Sequence, residues 1–269
     1  MRQPRPLRGT ATDEPWLIID HEVLRGVSFA GAKLLTFTAV GSRFDNCVFE
    51  GVSVDDAELA AGADRSEYTD CVFEGVRLGR IHAGVARFIR CSFRNVRLRN
   101  WRWGAVDLID CTFSGVLRSS LISGRVPDEH RSAVGRDSTV ISGNDFRRLT
   151  MPGVEFVGGV DLSRQRMPRS SAYLYLRDAA SALSIAETAL QGCPAELRDG
   201  VGLRLRRIRN LLDGGQRQVW ITSKRFFGGR PDAARWLVGL WHAAGQLPDP
   251  PDEPAYGRPR SAVPMHLMS

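Results

Sequence analysis

The chain has 269 residues, 43% hydrophobic and 25% charged, with a formal net charge of +7, which suits one large domain or two medium ones around a proper core. No stretch is apolar for the roughly eighteen residues a membrane span needs. Residues 1–15 carry Arg2, Arg5 and Arg8 with no apolar run behind them, so an export or transit signal is not expected. Four of the five cysteines follow a repeat instead of a disulfide framework, and a reducing cytoplasm is the expected compartment. The basic excess raises the prior for an acidic partner, subject to where the charge sits.

In chain order, residues 1–20 read as a flexible arm. From there a phrase recurs as Cys47-Val-Phe49, Cys71-Val-Phe73, Cys91-Ser-Phe93 and Cys111-Thr-Phe113, with Val27-Ser-Phe29 as an earlier copy. A fixed period of this kind marks a repeat architecture. Inside it lies a period of five, carried by Leu24, Phe29, Leu34, Phe44, Phe49, Val54 and Leu59 and resuming after an insertion at Tyr68, Phe73, Leu78, Phe88, Phe93, Leu98, Trp103, Leu108 and Phe113. Two residues before most of these stands a small or medium apolar one, such as Ala32, Val52, Val76 or Val96. Period five fits neither an amphipathic helix nor an ordinary strand. It fits a chain that turns a corner every five residues, with two inward side chains per side and four sides per coil.

These quintets resemble the pentapeptide-repeat family, over about residues 24–167. The resemblance implies a mainly β fold, a right-handed quadrilateral β-helix. Its phenylalanines are expected to stack at the coil spacing of about 4.8 Å. Gly31, Gly51, Gly75, Asn95 and Gly115 are expected at a corner that needs positive φ. On the third side the inward pairs trade size, Phe37 with Ala39, Ala57 with Leu59 and Ile81 with Ala83. Trp101 and Trp103 break that trade, so one indole is expected at the surface.

Residues 124–138 read as a polar loop that leaves the cylinder, which resumes with Ile141, Phe146, Met151, Phe156 and Leu162. The β-helix is thus expected over 21–168, a small all-α domain over 169–246 and a disordered tail over 247–269. The first helix is expected to start at Ser170 or Ser171 with Tyr173 on its apolar face, and a second to cover 194–212 with Arg204, Arg207 and Arg209 off its apolar face. Residues 216–227 and 231–244 read as two more. Their aromatics Trp220, Phe226, Phe227, Trp236 and Trp241 exceed what a small helical domain easily hides, which predicts a homodimer.

No nucleophile elbow, zincin helix, phosphate-cradling loop or nucleotide fingerprint is present, and the protein is expected not to be an enzyme and to hold no cofactor. The cysteines lie in a line, whereas zinc needs ligands around one point, so no metal is expected. Charge is banded. Between Asp45 and Glu74 the acids face only Arg65, whereas Arg77, Arg80, Arg87, Arg90, Arg94, Arg97, Arg99 and Arg102 follow with no acid among them. Such bands either pair between coils or form a binding face. Trp101, Trp103, Arg77, Arg97, Arg99 and Arg102 are the candidate binding residues. The expected function is a macromolecular binding module. Some family members imitate a DNA duplex and bind type II topoisomerases, so the resemblance implies such a protein partner. The alternatives are nucleic-acid binding by the 77–102 belt and the basic helix at 203–211, or a structural scaffold.

Overall fold

Successive side chains on a strand point to opposite faces, so two inward residues per quintet need short extended runs joined by corners, and the chain is built that way. The computed structural model describes residues 5–6, 16–170 and 172–247, and leaves outside that description the side chains of Arg5, Pro6, Arg102, Trp103 and Lys224. Strands stack in parallel as a β-solenoid, followed by a partly helical segment.

Three ladders run along the solenoid. The first stacks Val23–Arg25, Arg43–Asp45, Glu67–Thr69, Arg87–Ile89, Asp107–Ile109 and Ile141–Ser142. The second stacks Val27–Ser28, Val48–Glu50 and Val72–Glu74 and continues through Ser92–Arg99 and Thr112–Arg118 to Asp145–Thr150. The third holds Trp16–Asp20, Lys33–Val40, Ser53–Ala61, Arg77–His82, Trp101–Trp103, Leu121–Ser123 and Glu155–Val157. Trp16–Asp20 pairs with Thr36–Val40, so the solenoid begins inside the expected N-terminal arm. All five expected corner residues have positive φ, from +52° at Asn95 to +107° at Gly115.

The interior is aromatic. Phe29, Phe49, Phe73, Phe93, Phe113 and Phe146 stack with centroids 4.5–4.9 Å apart. A second column, Phe44, Tyr68 and Phe88, stacks beside them at 4.5 and 4.7 Å. Cys47, Cys71, Cys91 and Cys111 are buried and unbridged. The thiols of Cys71 and Cys91 donate to the carbonyls of Phe44 and Tyr68 in the preceding coil, both at 3.2 Å. In the next coil Asn144 takes this place, accepting from Cys111 N–H and donating to Leu108 C=O, each at 3.0 Å.

Residues 124–138 do leave the cylinder. A bridge between Arg125 and Ser138 closes the neck, and the excursion contains the short helix α1 (Asp128–Val134). Ile141, Phe146, Met151, Phe156 and Leu162 return to the core.

After the solenoid the expected helix start is corrected. Tyr173–Leu176 is a strand, antiparallel to Val219–Thr222, which also corrects the helix expected over 216–227. Helix α2 (Ala179–Ala189) begins later, capped by the Asp178 carboxylate on the N–H groups of Ala180 and Ser181. Three more follow: α3 (Arg198–Asp213), α4 (Ser223–Phe227) and α5 (Pro231–Ala243). Trp220, Phe226 and Trp241 are interior. The aromatic surface that motivated the homodimer is therefore largely core, and the tail expected over 247–269 lies, beyond Leu247, outside the described residues. Trp220 stacks on Tyr173 at 4.2 Å and meets Phe156 edge-on at 5.9 Å, closing the last coil. The buried Gln216 side chain accepts from the N–H groups of Gly159 and Val160, and Gln218 accepts from Leu162 N–H.

Candidate functional site

In a parallel stack, equivalent residues of neighbouring coils stand side by side about 4.8 Å apart, so the charge sequence along a column decides whether it attracts or repels itself. The first ladder alternates. Arg43 is in register with Glu67, Glu67 with Arg87, and Arg87 with Asp107. The ion pairs follow: Arg43 to Glu67 at 3.8 Å, Arg87 to Glu67 at 3.8 Å and Arg87 to Asp107 at 3.3 Å. Asp107 is only 1% exposed because the excursion lays Arg136 over it, and its carboxylate also accepts Val140 N–H. Elsewhere Arg80 pairs with Asp56 at 2.9 Å and Arg90 with Asp70 at 2.7 Å. The Arg90 hydrogen bond, ahead of its charge, holds the Asp70 carboxyl below its ordinary range.

The strands at 76–79, 96–99 and 115–118 solve the same problem differently. Val76, Leu78, Val96, Leu98 and Leu117 point inward, so Arg77, Arg97, Arg99 and Arg118 point to solvent. Arg77 is in register with Arg97, and Arg99 with Arg118. Among the described residues none of the four has a carboxylate within ion-pairing distance. Arg148, in register with Ser114 one coil further on, lies at the corner before that side, where Thr150 follows Val116 in the Arg97 column. The basic belt is thus not a ring. On one side it is neutralised by alternation, and on this side it is an open field of guanidinium groups on a rigid backbone.

Of the candidate binding residues, Arg77, Arg97 and Arg99 come together here. Trp101 does not join them. It is 0% exposed, with its ring centroid 6.1 Å from that of Phe88 and 6.3 Å from that of Phe93. The volume trade runs along the axis, since the residue beside Trp101 in the next coil is the small, buried Ser120, whose hydroxyl accepts Trp101 N–H. The backbones of Arg102 and Trp103 pair with Leu121 and Ile122, and their side chains lie outside the described residues. Arg204, expected off the apolar face of its helix, is buried and donates to the carbonyls of Gly200, Phe226, Gly228 and Arg230.

Arg118 and Arg148 were not expected. Arg118 stands nineteen residues after Arg99 instead of twenty, because the register slips between Phe93 and Val96 where Gly115 turns the corner. A search for arginine at nineteen as well as twenty would have found it.

Among the described residues no three His, Cys, Asp or Glu side chains are grouped to hold a metal ion, and no helix is long and apolar enough to cross a membrane. An array of planar, permanently charged forks can recognise phosphate or carboxylate in series. No protein-family model matches this sequence and no curated protein matches it, so the reading of this face rests on its geometry.

Proposed function

We propose that the protein is a non-catalytic binding module of the pentapeptide-repeat kind, which docks the face carrying Arg77, Arg97, Arg99 and Arg118 on the phosphate backbone of a nucleic-acid duplex. The observation that carries the reading is the contrast between ladders. Like charges directly opposite one another in a sheet are destabilising, and the first ladder avoids them by alternating Arg43, Glu67, Arg87 and Asp107. The Arg77–Arg97 and Arg99–Arg118 neighbours accept that cost, as Glu50 and Glu74 do one coil earlier, and a run of four arginines without carboxylate partners among the described residues supports a surface kept for an anionic partner.

Duplex mimicry and a topoisomerase partner find less support. The acids lie in a band around the solenoid, and Asp45, Asp56, Glu67 and Asp70 already pair with arginines. Trp101 is buried and the Trp103 side chain lies outside the described residues, so contacts from the arginines to a phosphate backbone are what support the reading. Five free, buried cysteines support a reducing, cytoplasmic setting.

The test is fluorescence anisotropy with a labelled duplex across a salt series. Four phosphate contacts predict that log affinity falls against log salt with a slope of about −4, and losing one contact in Arg97→Glu should make it shallower by about 1. Binding insensitive to salt and to Arg97→Glu would exclude this face. A shallow salt effect confined to the association rate would point to an acidic protein instead.

A further inference from the structure

The segment after the solenoid holds a cleft of about 260 Å3 between α3, α4 and the strand pair. Its walls are Leu174, Leu176, Val219 and Ile221 from the strands and Ile208 and Leu211 from α3. Leu203, 61% exposed, stands at its rim.

Three arginines line this apolar space, and they are not equivalent. Arg204 spends four of its five N–H donors on backbone carbonyls. Arg207 and Arg225 converge instead on one carboxylate, Glu155 of the last solenoid coil, Arg225 at 2.6 Å. Two guanidinium groups on one carboxylate leave N–H donors unused and one positive charge in excess. Desolvation, and then the Arg225 charge, push the Arg207 pKa down.

We infer that this cleft binds a medium-chain acyl carboxylate, its chain against Leu174, Ile208 and Ile221 and its head on Arg207 and Arg225. The apolar wall calls for an apolar body, and Arg207 and Arg225, which share the one Glu155 carboxylate, call for an anionic group.

Sodium decanoate, sodium octanoate and 1-decanol serve as probes, in calorimetric titrations of the full chain below micelle formation. Decanoate should bind one per chain, and octanoate about fifteenfold more weakly, since each buried methylene contributes about 0.8 kcal/mol. Arg225→Ala should weaken decanoate about tenfold, as loss of a charged hydrogen bond does, and Leu211→Trp, which fills the cleft, should abolish binding. If Leu211→Trp does not fold by circular dichroism, Leu203→Asp at the exposed rim should still reduce decanoate affinity. A second arm uses phosphatidylglycerol vesicles, to separate a free acyl chain from a lipid surface. Equal binding of decanol and decanoate, no effect of Arg225→Ala, or binding to vesicles without binding to decanoate would each overturn the inference.

Discussion

Each middle member of the phenylalanine column has a ring on both sides. Phe73 lies 4.7 Å from Phe49 and 4.5 Å from Phe93, almost parallel to each. Phe73→Ala should therefore cost about 3–5 kcal/mol in urea unfolding. Phe29 stacks only on Phe49 among the described residues, and Phe29→Ala should cost measurably less; equal costs would contradict a column with an end. Tyr68 puts a phenol into the same interior, where its hydroxyl donates to Leu59 C=O at 2.9 Å. Burial, and then the neighbouring thiols, hold its pKa well above the ordinary value. The folded state keeps this proton where the unfolded chain releases it, so stability falls as pH rises past about 10. Tyr68→Phe should flatten that alkaline loss, and an unchanged slope would show that Tyr68 is not its source. At this same scale the sequence shows that Trp101 is large but not that Ser120 in the next coil makes room for it, and Trp103, the other indole of that corner, has its side chain outside the described residues.

Corners and caps govern the elements. A Cβ on Gly115 would lie 2.2 Å from Val96 O, at a φ of +107°, so Gly115→Ala should cost at least about 2 kcal/mol. The midpoint of thermal unfolding checks this, and a neutral result would mean that the corner relaxes freely. Asp178→Ala should cost about 1 kcal/mol through the lost cap of α2, read as a lower urea midpoint with an unchanged slope. Corners and inward positions were legible because quintets repeat them coil after coil. The strand pair was not: Tyr173–Leu176 reads as the start of an amphipathic helix until its partner Val219–Thr222, remote in sequence, supplies the hydrogen bonds. Arg77 and Arg97 were legible by their spacing, and Arg99 by its place beside the Trp corner. Arg118 was hidden by the one-residue slip at Gly115.

For the molecule as a whole, two charge patterns share one scaffold. If the arginine face is maintained for a partner, Arg97→Glu should leave the melting temperature unchanged or raise it while duplex binding falls. A drop in melting temperature would mean that these side chains stabilise the solenoid in a way the ion pairs do not show. The closing of the last coil by Gln216, Gln218 and Trp220 bears on a different property. A parallel stack has two complementary ends, and among the described residues Trp16–Asp20 pairs on one side only, so its other edge complements the backbone groups of the final coil. A head-to-tail contact between such ends has no symmetry to close it and propagates. Cut at Pro168, the chain should grow into thioflavin-positive filaments with a nucleation lag, while the full chain stays dispersed at the same concentration. On that expectation the partly helical segment acts as a chain terminator for self-assembly, with Gln216, Gln218 and Trp220 covering the growing end.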